Sequence, residues 1–257
     1  MELSGPTVFA GIIPARYASS RFPGKPLALI GDRPMIQRVW EQASKSLDLV
    51  YVATDDARIM DTVLAFGGKA IMTSPEHQSG TDRVAEAISL IRRQTGIQAD
   101  VVVNIQGDEP FIRPGQIDLV KDCFTDPEVR IATLVREVEA GEDIFNPNQP
   151  KTILNSGKDA VYFSREAIPH VRGVEKNQWS SRHVFYKHIG LYAYRTDTLL
   201  EITKLERSPL EIAESLEQNR WLENGYRIRT AVTIWESIGI DTPEDLERAR
   251  VYLEQHP

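Results

Sequence analysis

Arg16, Arg21 and Lys25 fall within a single ten-residue stretch, with Ser19 and Ser20 between them and Pro23-Gly24 fixing the backbone just before the lysine. Cations, hydroxyls and a restrained loop together suit a polyphosphate, whose oxygens need positive charge and close backbone amides. A second set of groups is acidic. Asp108 and Asp241 stand 133 positions apart (241 − 108), each after an apolar, strand-like run. Magnesium favours a few carboxylates together with phosphate oxygens, so two separated aspartates meeting beside Lys25 would suit it. Plainer readings stay open for both. Gly107-Asp108 also scores as a strand-end turn, and Asp241-Thr242-Pro243-Glu244-Asp245 spells a helix start with Thr242 as cap and Pro243 first.

Neither common phosphate motif is present. A P-loop needs glycine five residues before Gly24 and a hydroxyl after Lys25, where the chain has Ser19 and Pro26. No Gly-x-Gly-x-x-Gly follows the first strand.

The elements that must position these groups alternate. Val8 to Ile13 reads as a buried strand that should stop at Pro14, which has no amide proton to give a sheet. Helical spacing of Met35, Ile36, Val39, Trp40, Ala43 and Leu47 predicts a helix over 34–47. Strands are expected over 49–54, 69–72 and 101–105, and helices over 57–66 and from Thr81, which is read as a cap. This β-α-β-α-β-α-β start predicts a mostly parallel sheet with both faces covered, and ligands gathering at the carboxyl ends of its strands. The basic loop, the loop from Ser74 to Gly80 and Gln106-Gly107-Asp108 all fall there. After Val135 the alternation breaks. Residues 141–181, with Pro147, Pro150 and Pro169, are read as an irregular insertion within a single domain spanning 1–257, since no low-complexity linker precedes them.

Composition excludes several classes. A formal charge of −7 argues against nucleic acid as the main partner. The single cysteine, Cys123, rules out an internal disulfide and a multi-cysteine zinc site, and its neighbours suggest an inert buried thiol. No apolar run approaches the roughly 18 residues that span a bilayer. The N-terminus lacks the order of a signal peptide, so the expectation is a cytoplasmic protein without a membrane partner.

Pro14-Ala15-Arg16 followed by Arg21-Phe22-Pro23-Gly24-Lys25-Pro26-Leu27 resembles the signature of sugar nucleotidyltransferases that use CTP, in particular the 3-deoxy-manno-octulosonate (Kdo) cytidylyltransferases. Other landmarks similar to that family follow in order: His77-Gln78-Ser79-Gly80-Thr81, Gln106-Gly107-Asp108-Glu109-Pro110, Tyr162-Phe163-Ser164-Arg165, His188-Ile189-Gly190-Leu191-Tyr192, Ser208-Pro209-Leu210-Glu211 and Gly239 to Leu246. The resemblance implies a three-layer α/β fold of the nucleotide-diphospho-sugar transferase type, with a mostly parallel mixed sheet and a sugar-binding insertion. It implies transfer of CMP from CTP to the anomeric hydroxyl of Kdo, in a homodimer.

By the same resemblance Arg16, Lys25, Asp108 and Asp241 are the catalytic candidates, with Asp108 and Asp241 holding Mg2+. Ala15, Arg16, Ser19, Arg21, Lys25, Gln78, Ser79, Gly80 and Thr81 become the CTP contacts, although Ser79 and Thr81 equally suit a polar turn that caps the next helix. For the sugar acid, Arg165 offers a fork to the carboxylate. Gln106, His188, Tyr192, Glu211 and Glu214 can address hydroxyls. His188 also reads as a satisfied strand histidine, and Glu211 with Glu214 as a solvated helix face. Leu210-Glu211-Ile212-Ala213-Glu214 departs from the histidine-bearing version in some relatives. The sugar therefore stays open between Kdo and another acidic sugar, such as sialic acid or amino-Kdo. A silent nucleotide-sugar binding subunit is the non-enzymatic alternative.

Overall fold

The computed structural model describes residues 6–19, 21–139, 141–236 and 238–255, so Ser20 lies outside the described residues. The chain lays down β1 (Phe9–Ala15), β2 (Leu29–Ile30), β3 (Arg33–Pro34), α1 (Met35–Ala43), β4 (Val50–Thr54), α2 (Ala57–Ala65), β5 (Lys69–Met72), α3 (Gly80–Thr95), β6 (Val101–Asn104) and α4 (Pro114–Asp122). It continues with β7 (Ile131–Glu137), β8 (Lys151–Leu154), β9 (Ala160–Ser164), α5 (Trp179–Arg182) and β10 (Tyr186–Arg195). Then come α6 (Thr196–Ile202), α7 (Pro209–Glu214), α8 (Glu217–Glu223), β11 (Ile228–Val232) and α9 (Pro243–Gln255). The architecture is α/β with a mostly parallel mixed sheet. Its contacts fall into two compact units, Met1–Asp118 with Tyr194–Thr203 and Ser237–Pro257, and Leu119–Ala193 with Lys204–Glu236.

In the first unit the strand order is β6-β1-β4-β5, and every pairing is parallel. β4 and β6 are buried at every residue, which is why their sequences show no polar alternation. Ile12 and Ile13 are fully buried in β1, each contributing about 1.5–3 kcal/mol.

β1 does not stop at Pro14 as the sequence suggested; it runs on to Ala15, with Pro14 in register with Ala53 of β4. The reason lies in which way the amides point. Gly11 N donates to Leu49 O on the β4 side, whereas Ile12 O accepts from Ile105 N on the β6 side. Amides alternate along a strand, so the missing N–H of Pro14 falls on the β6 side. There the ladder has already ended, at the Ile12–Asn104 pair. No hydrogen bond is lost.

The start of α3 also differs from expectation. Ser79, not Thr81, is the cap: its hydroxyl accepts from Asp82 N at 3.1 Å and the Asp82 carboxylate accepts from Ser79 N at 3.2 Å. Thr81 is buried within the first turn. At the far end of the unit, Ile240, Leu246 and Ala249 pack with Ile30 and Met35, and Phe22 of the basic loop joins this cluster. That apolar contact seats α9 against the N-terminal region.

The second unit pairs β7 in parallel with β11, while β8 lies antiparallel to both β9 and β10. The irregular stretch 141–181 belongs to this unit and carries β8, β9 and most of α5. Ile144 and Trp179 of this stretch form a small core with Phe185, with Val138, Ala167, Val171 and Val174 packed around them.

Candidate active site

A cleft of about 310 Å³ opens in the first unit where β1 and β6 end. Its lining takes in Ala15, Arg16, Ser19, Arg21 and Lys25 from the loop after β1, and Gln106, Gly107 and Asp108 from the loop after β6. His77, Gln78 and Ser79 from the loop before α3, Gly80 at its start, and Asp241 line it as well.

The basic loop is built rather than loose. Gly24 N donates to Tyr17 O at 2.9 Å, and Leu27 N to Gly24 O at 2.9 Å. Gly24 has φ 72°, a backbone that favours glycine, and a Cβ there would lie 3.1 Å from the Tyr17 ring, a tight fit. Tyr17 in turn lies beneath the Arg58 guanidinium, 3.3 Å from its ring centroid, a cation–π contact that ties the loop to α2. Ser19 Oγ accepts from Phe22 N at 3.3 Å. Arg16 is exposed and has no ion-pair partner among the described residues.

The two aspartates do meet. Lys25 Nζ donates to Asp108 Oδ2 at 2.7 Å and to Asp241 Oδ1 at 3.2 Å, while Arg21 Nη2 lies 3.2 Å from the same Asp241 oxygen. Backbone geometry brings them there, because Ile240 N donates to Asp108 O at 2.9 Å. The helix-start reading of Asp241 is separable from its carboxylate. Thr242 Oγ1 accepts from Asp245 N at 3.2 Å, and Asp245 Oδ2 accepts from Asp241 N and Thr242 N at 3.0 and 2.9 Å. The Asp241 side chain takes no part in that cap. Among the described residues no group of three or more His, Cys, Asp or Glu is poised around one point. Two carboxylates converging on one ammonium are hard oxygen donors that leave most of a cation's shell to phosphate and water.

Gly107 makes room for this arrangement, since a Cβ there would sit 2.8 Å from the Pro14 carbonyl oxygen. Arg83 lines the cleft too and was missed in the sequence. It is 4% exposed, and its guanidinium donates to Thr73 Oγ1 and Asp55 Oδ2, both at 2.7 Å. A signal existed: Arg83 leads the 83-87-91 row, whose other members, Ala87 and Ile91, are apolar, on the buried face of α3.

The chain matches the family model for cytidylyltransferases over residues 10–249. It is 58% identical to a 3-deoxy-manno-octulosonate cytidylyltransferase of Parabacteroides distasonis over 249 residues, covering 95% of this chain and 98% of the relative. The enzyme of the same name from Thermodesulfovibrio yellowstonii is 48% identical, with 94% of this chain and 96% of the relative covered. The chain belongs to the 3-deoxy-manno-octulosonate cytidylyltransferase family. A solved structure of CMP:2-keto-3-deoxy-manno-octonic acid synthetase complexed with CTP superposes with a TM-score of 0.88 at 42% identity, over 98% of this chain and 100% of the other. The 4-diphosphocytidyl-2C-methyl-D-erythritol synthase of Anaerococcus prevotii, 13% identical with a TM-score of 0.61 over 96% and 99% of the two chains, shares the fold alone.

In this cytidylyltransferase most nucleotide candidates line one cleft, with Thr81 buried outside its lining. Apart from Gln106, the sugar-acid candidates belong to the second unit, where they form separate groups. Arg165 is engaged by backbone carbonyls of Glu214, Pro147 and Ser215 at 2.7, 3.0 and 3.3 Å. The Glu214 carboxylate accepts from Ser164 Oγ, Arg165 N and Tyr162 Oη at 2.6, 2.9 and 3.1 Å. Burial pushes that carboxyl up, but the hydrogen bonds from Arg165 N, Ser164 and Tyr162 outweigh it and leave the group below the usual range.

Glu211 closes the capping box of α7 with Ser208 and pairs with Arg220 at 3.3 Å. It is 6% exposed, so the solvated-face reading does not describe it. His188 Nε2 lies 3.1 Å from Thr133 Oγ1, with the rings of Phe163 and Tyr192 centred 5.1 and 5.2 Å away. Desolvation pushes its pKa down to about 3, so the ring is neutral at physiological pH. The single thiol, Cys123, is pushed up to about 11 by burial, in keeping with an inert cysteine.

Proposed function

We propose that this chain activates 3-deoxy-D-manno-octulosonate by transferring CMP from CTP to the anomeric hydroxyl, giving CMP-Kdo and pyrophosphate for lipopolysaccharide biosynthesis. The observation that carries the reading is a cationic cleft, with Lys25 held between two aspartates, in a chain 58% identical over nearly its full length to an enzyme named for this chemistry.

The sugar oxygen forms a bond to the α-phosphorus as the bond from that phosphorus to the pyrophosphate oxygen breaks. The hydroxyl proton leaves to solvent. Little covalent work falls to the protein, so positioning and charge carry catalysis. Arg16, Arg21 and Lys25 neutralise the triphosphate. Lys25, oriented beforehand by Asp108 and Asp241, offsets the charge that develops around phosphorus without reorganising during the step. Gln78, Ser79 and Gly80 border the cleft where polar groups distinguish one base from another, because a wrong ring leaves buried partners unpaired. Asp108 and Asp241 are the residues that would hold magnesium. When bound, magnesium supplies Lewis-acid charge to phosphate oxygens.

We read the assembly as a homodimer, the commonest closed symmetry, and its place as the cytoplasm, where nucleoside triphosphates are drawn on. No described helix is long and apolar enough to cross a membrane.

Pyrophosphate release measured with CTP, UTP, ATP and GTP against Kdo, amino-Kdo and sialic acid tests the function. CTP with Kdo is expected to dominate, and equal turnover with UTP or ATP overturns the reading. Light scattering over a wide concentration range tests the dimer, which a constant monomer mass would refute.

A further inference from the structure

The loop from Ser74 to Ser79 supplies three of the cleft's lining residues, and its fixing point lies outside the cleft. Glu86, in the second turn of α3, is not part of the lining. One oxygen of its carboxylate, Oε2, accepts from Ser74 N at 2.7 Å and from His77 Nε2 at 2.6 Å. Arg83, one turn earlier, donates to Ser74 O at 3.3 Å, so both polar groups of Ser74's backbone are held by side chains of the helix that follows. Within the loop, Glu76 N donates to Ser74 Oγ at 3.1 Å and Gln78 Nε2 to Glu76 O at 3.2 Å. His77 thus sits at the middle of a short chain of bonds that starts on Glu86.

The chemistry of that contact fixes more than position. Partial burial raises the Glu86 carboxyl, but the hydrogen bonds from His77 and Ser74 N prevail and keep it below the usual range. An ionised carboxylate only accepts, so the hydrogen must be on His77 Nε2. In a neutral imidazole the other nitrogen is then an acceptor. Nδ1 has no partner among the described residues, and His77 lines the nucleotide cleft. An acceptor on a residue that lines the cleft favours a ligand that presents a donor, such as an exocyclic amino group, over one that presents a carbonyl to it.

We propose that Glu86 is a positioning residue: it locks His77 as the Nε2–H tautomer and so makes Nδ1 an acceptor that helps select an amino-bearing pyrimidine. This rests on the reading of the cleft as a nucleotide site.

Two measurements test it. With wild type first shown to release pyrophosphate from CTP and Kdo, Glu86→Ala and Glu86→Gln are compared for CTP and UTP. Loss of a charge-assisted hydrogen bond should raise the KM for CTP roughly tenfold and narrow the CTP-over-UTP preference by a similar factor, with kcat nearly unchanged. A merely structural role would lower kcat with the folded fraction and leave the preference alone, and that result overturns the proposal. Independently of activity, ¹⁵N-histidine NMR at about pH 8, above the ordinary histidine range, should show His77 as a single Nε2–H tautomer in wild type, assigned with His77→Asn. Glu86→Gln should shift it toward a mixture. A wild-type signal showing the Nδ1–H form, or both nitrogens protonated, overturns the tautomer lock. Failure of wild type to use CTP would instead remove the proposed function itself.

Discussion

Asp241→Asn separates the chemistry of the cleft from the folding of the helix beside it. The substitution keeps shape and removes one charge. Half of the Asp241 side chain is exposed, and Lys25 has a second carboxylate, Asp108, at 2.7 Å. A pair so open to solvent contributes about 0–1 kcal/mol. The cap of α9 is untouched, since Thr242 and Asp245 make it without the Asp241 carboxylate. For a chain of this length the unfolding midpoint should therefore move by no more than about 2–4 °C. Catalysis should respond differently. Lys25 loses one of the two acceptors that aim it, and a carboxylate fit for magnesium becomes an amide. Loss of one preorganised electrostatic element costs about 10²- to 10³-fold in kcat. The assay is steady-state pyrophosphate release with CTP and Kdo across a magnesium titration, beside thermal unfolding of the same preparation. A kcat within about threefold of wild type at every magnesium level, well under 1 kcal/mol of barrier, would refute the role given to Asp241. A midpoint lowered by more than about 5 °C would refute the separation of cap and carboxylate.

Lys25→Ala should also lose about 10²- to 10³-fold in kcat while remaining folded; a loss below tenfold in steady-state assays would show that the arginines suffice. Gly107→Ala forces a backbone shift against the Pro14 carbonyl. A stability loss of about 1–3 kcal/mol is expected in denaturant unfolding, and an unchanged midpoint would show that the loop yields freely. His188 bears on acid stability. Its folded pKa of about 3 lies below the unfolded value near 6.5, so below that value the unfolded chain binds a proton that the folded chain refuses. Stability should therefore fall with pH from about 6.5 downward, by roughly 2 kcal/mol at pH 5, and His188→Gln should flatten that slope in unfolding curves at matched pH.

Alternation of apolar runs with helical spacings was enough to place most elements of the first unit, because the inner strands of its parallel sheet, β4 and β6, are buried throughout and the crossover helices are amphipathic. Misreadings came where a side chain's usual rule met its neighbours. Pro14 belongs to a strand because its missing donor faces a ladder that has ended. Thr81 yields the cap to Ser79 because Asp82, and not a residue two further on, completes the capping box. The meeting of Asp108 with Asp241 was an expectation from type and place. What seats them together, the Ile240 N–Asp108 O bond beside the apolar packing of Ile240 and Leu246 on Ile30 and Met35, depends on tertiary contacts no local pattern carries.

The sugar-acid candidates were less legible for a different reason. A polar group withdrawn from water must find a partner whether or not it serves a ligand, and in the second unit four of these groups have found theirs. Arg165 rests on three carbonyls, Glu214 takes three donors, Glu211 closes a helix cap, and His188 meets a threonine hydroxyl. A protein that must hold such residues in place uses the same residue types as one that must recognise a hydroxylated acid. The cleft of the first unit escapes that ambiguity. Arg16 is exposed with no ion-pair partner among the described residues, and Lys25, Arg21 and two aspartates crowd one open wall. Folding has no use for that concentration of half-solvated charge, worth little to stability in water. A triphosphate would bring the oxygens that give it one.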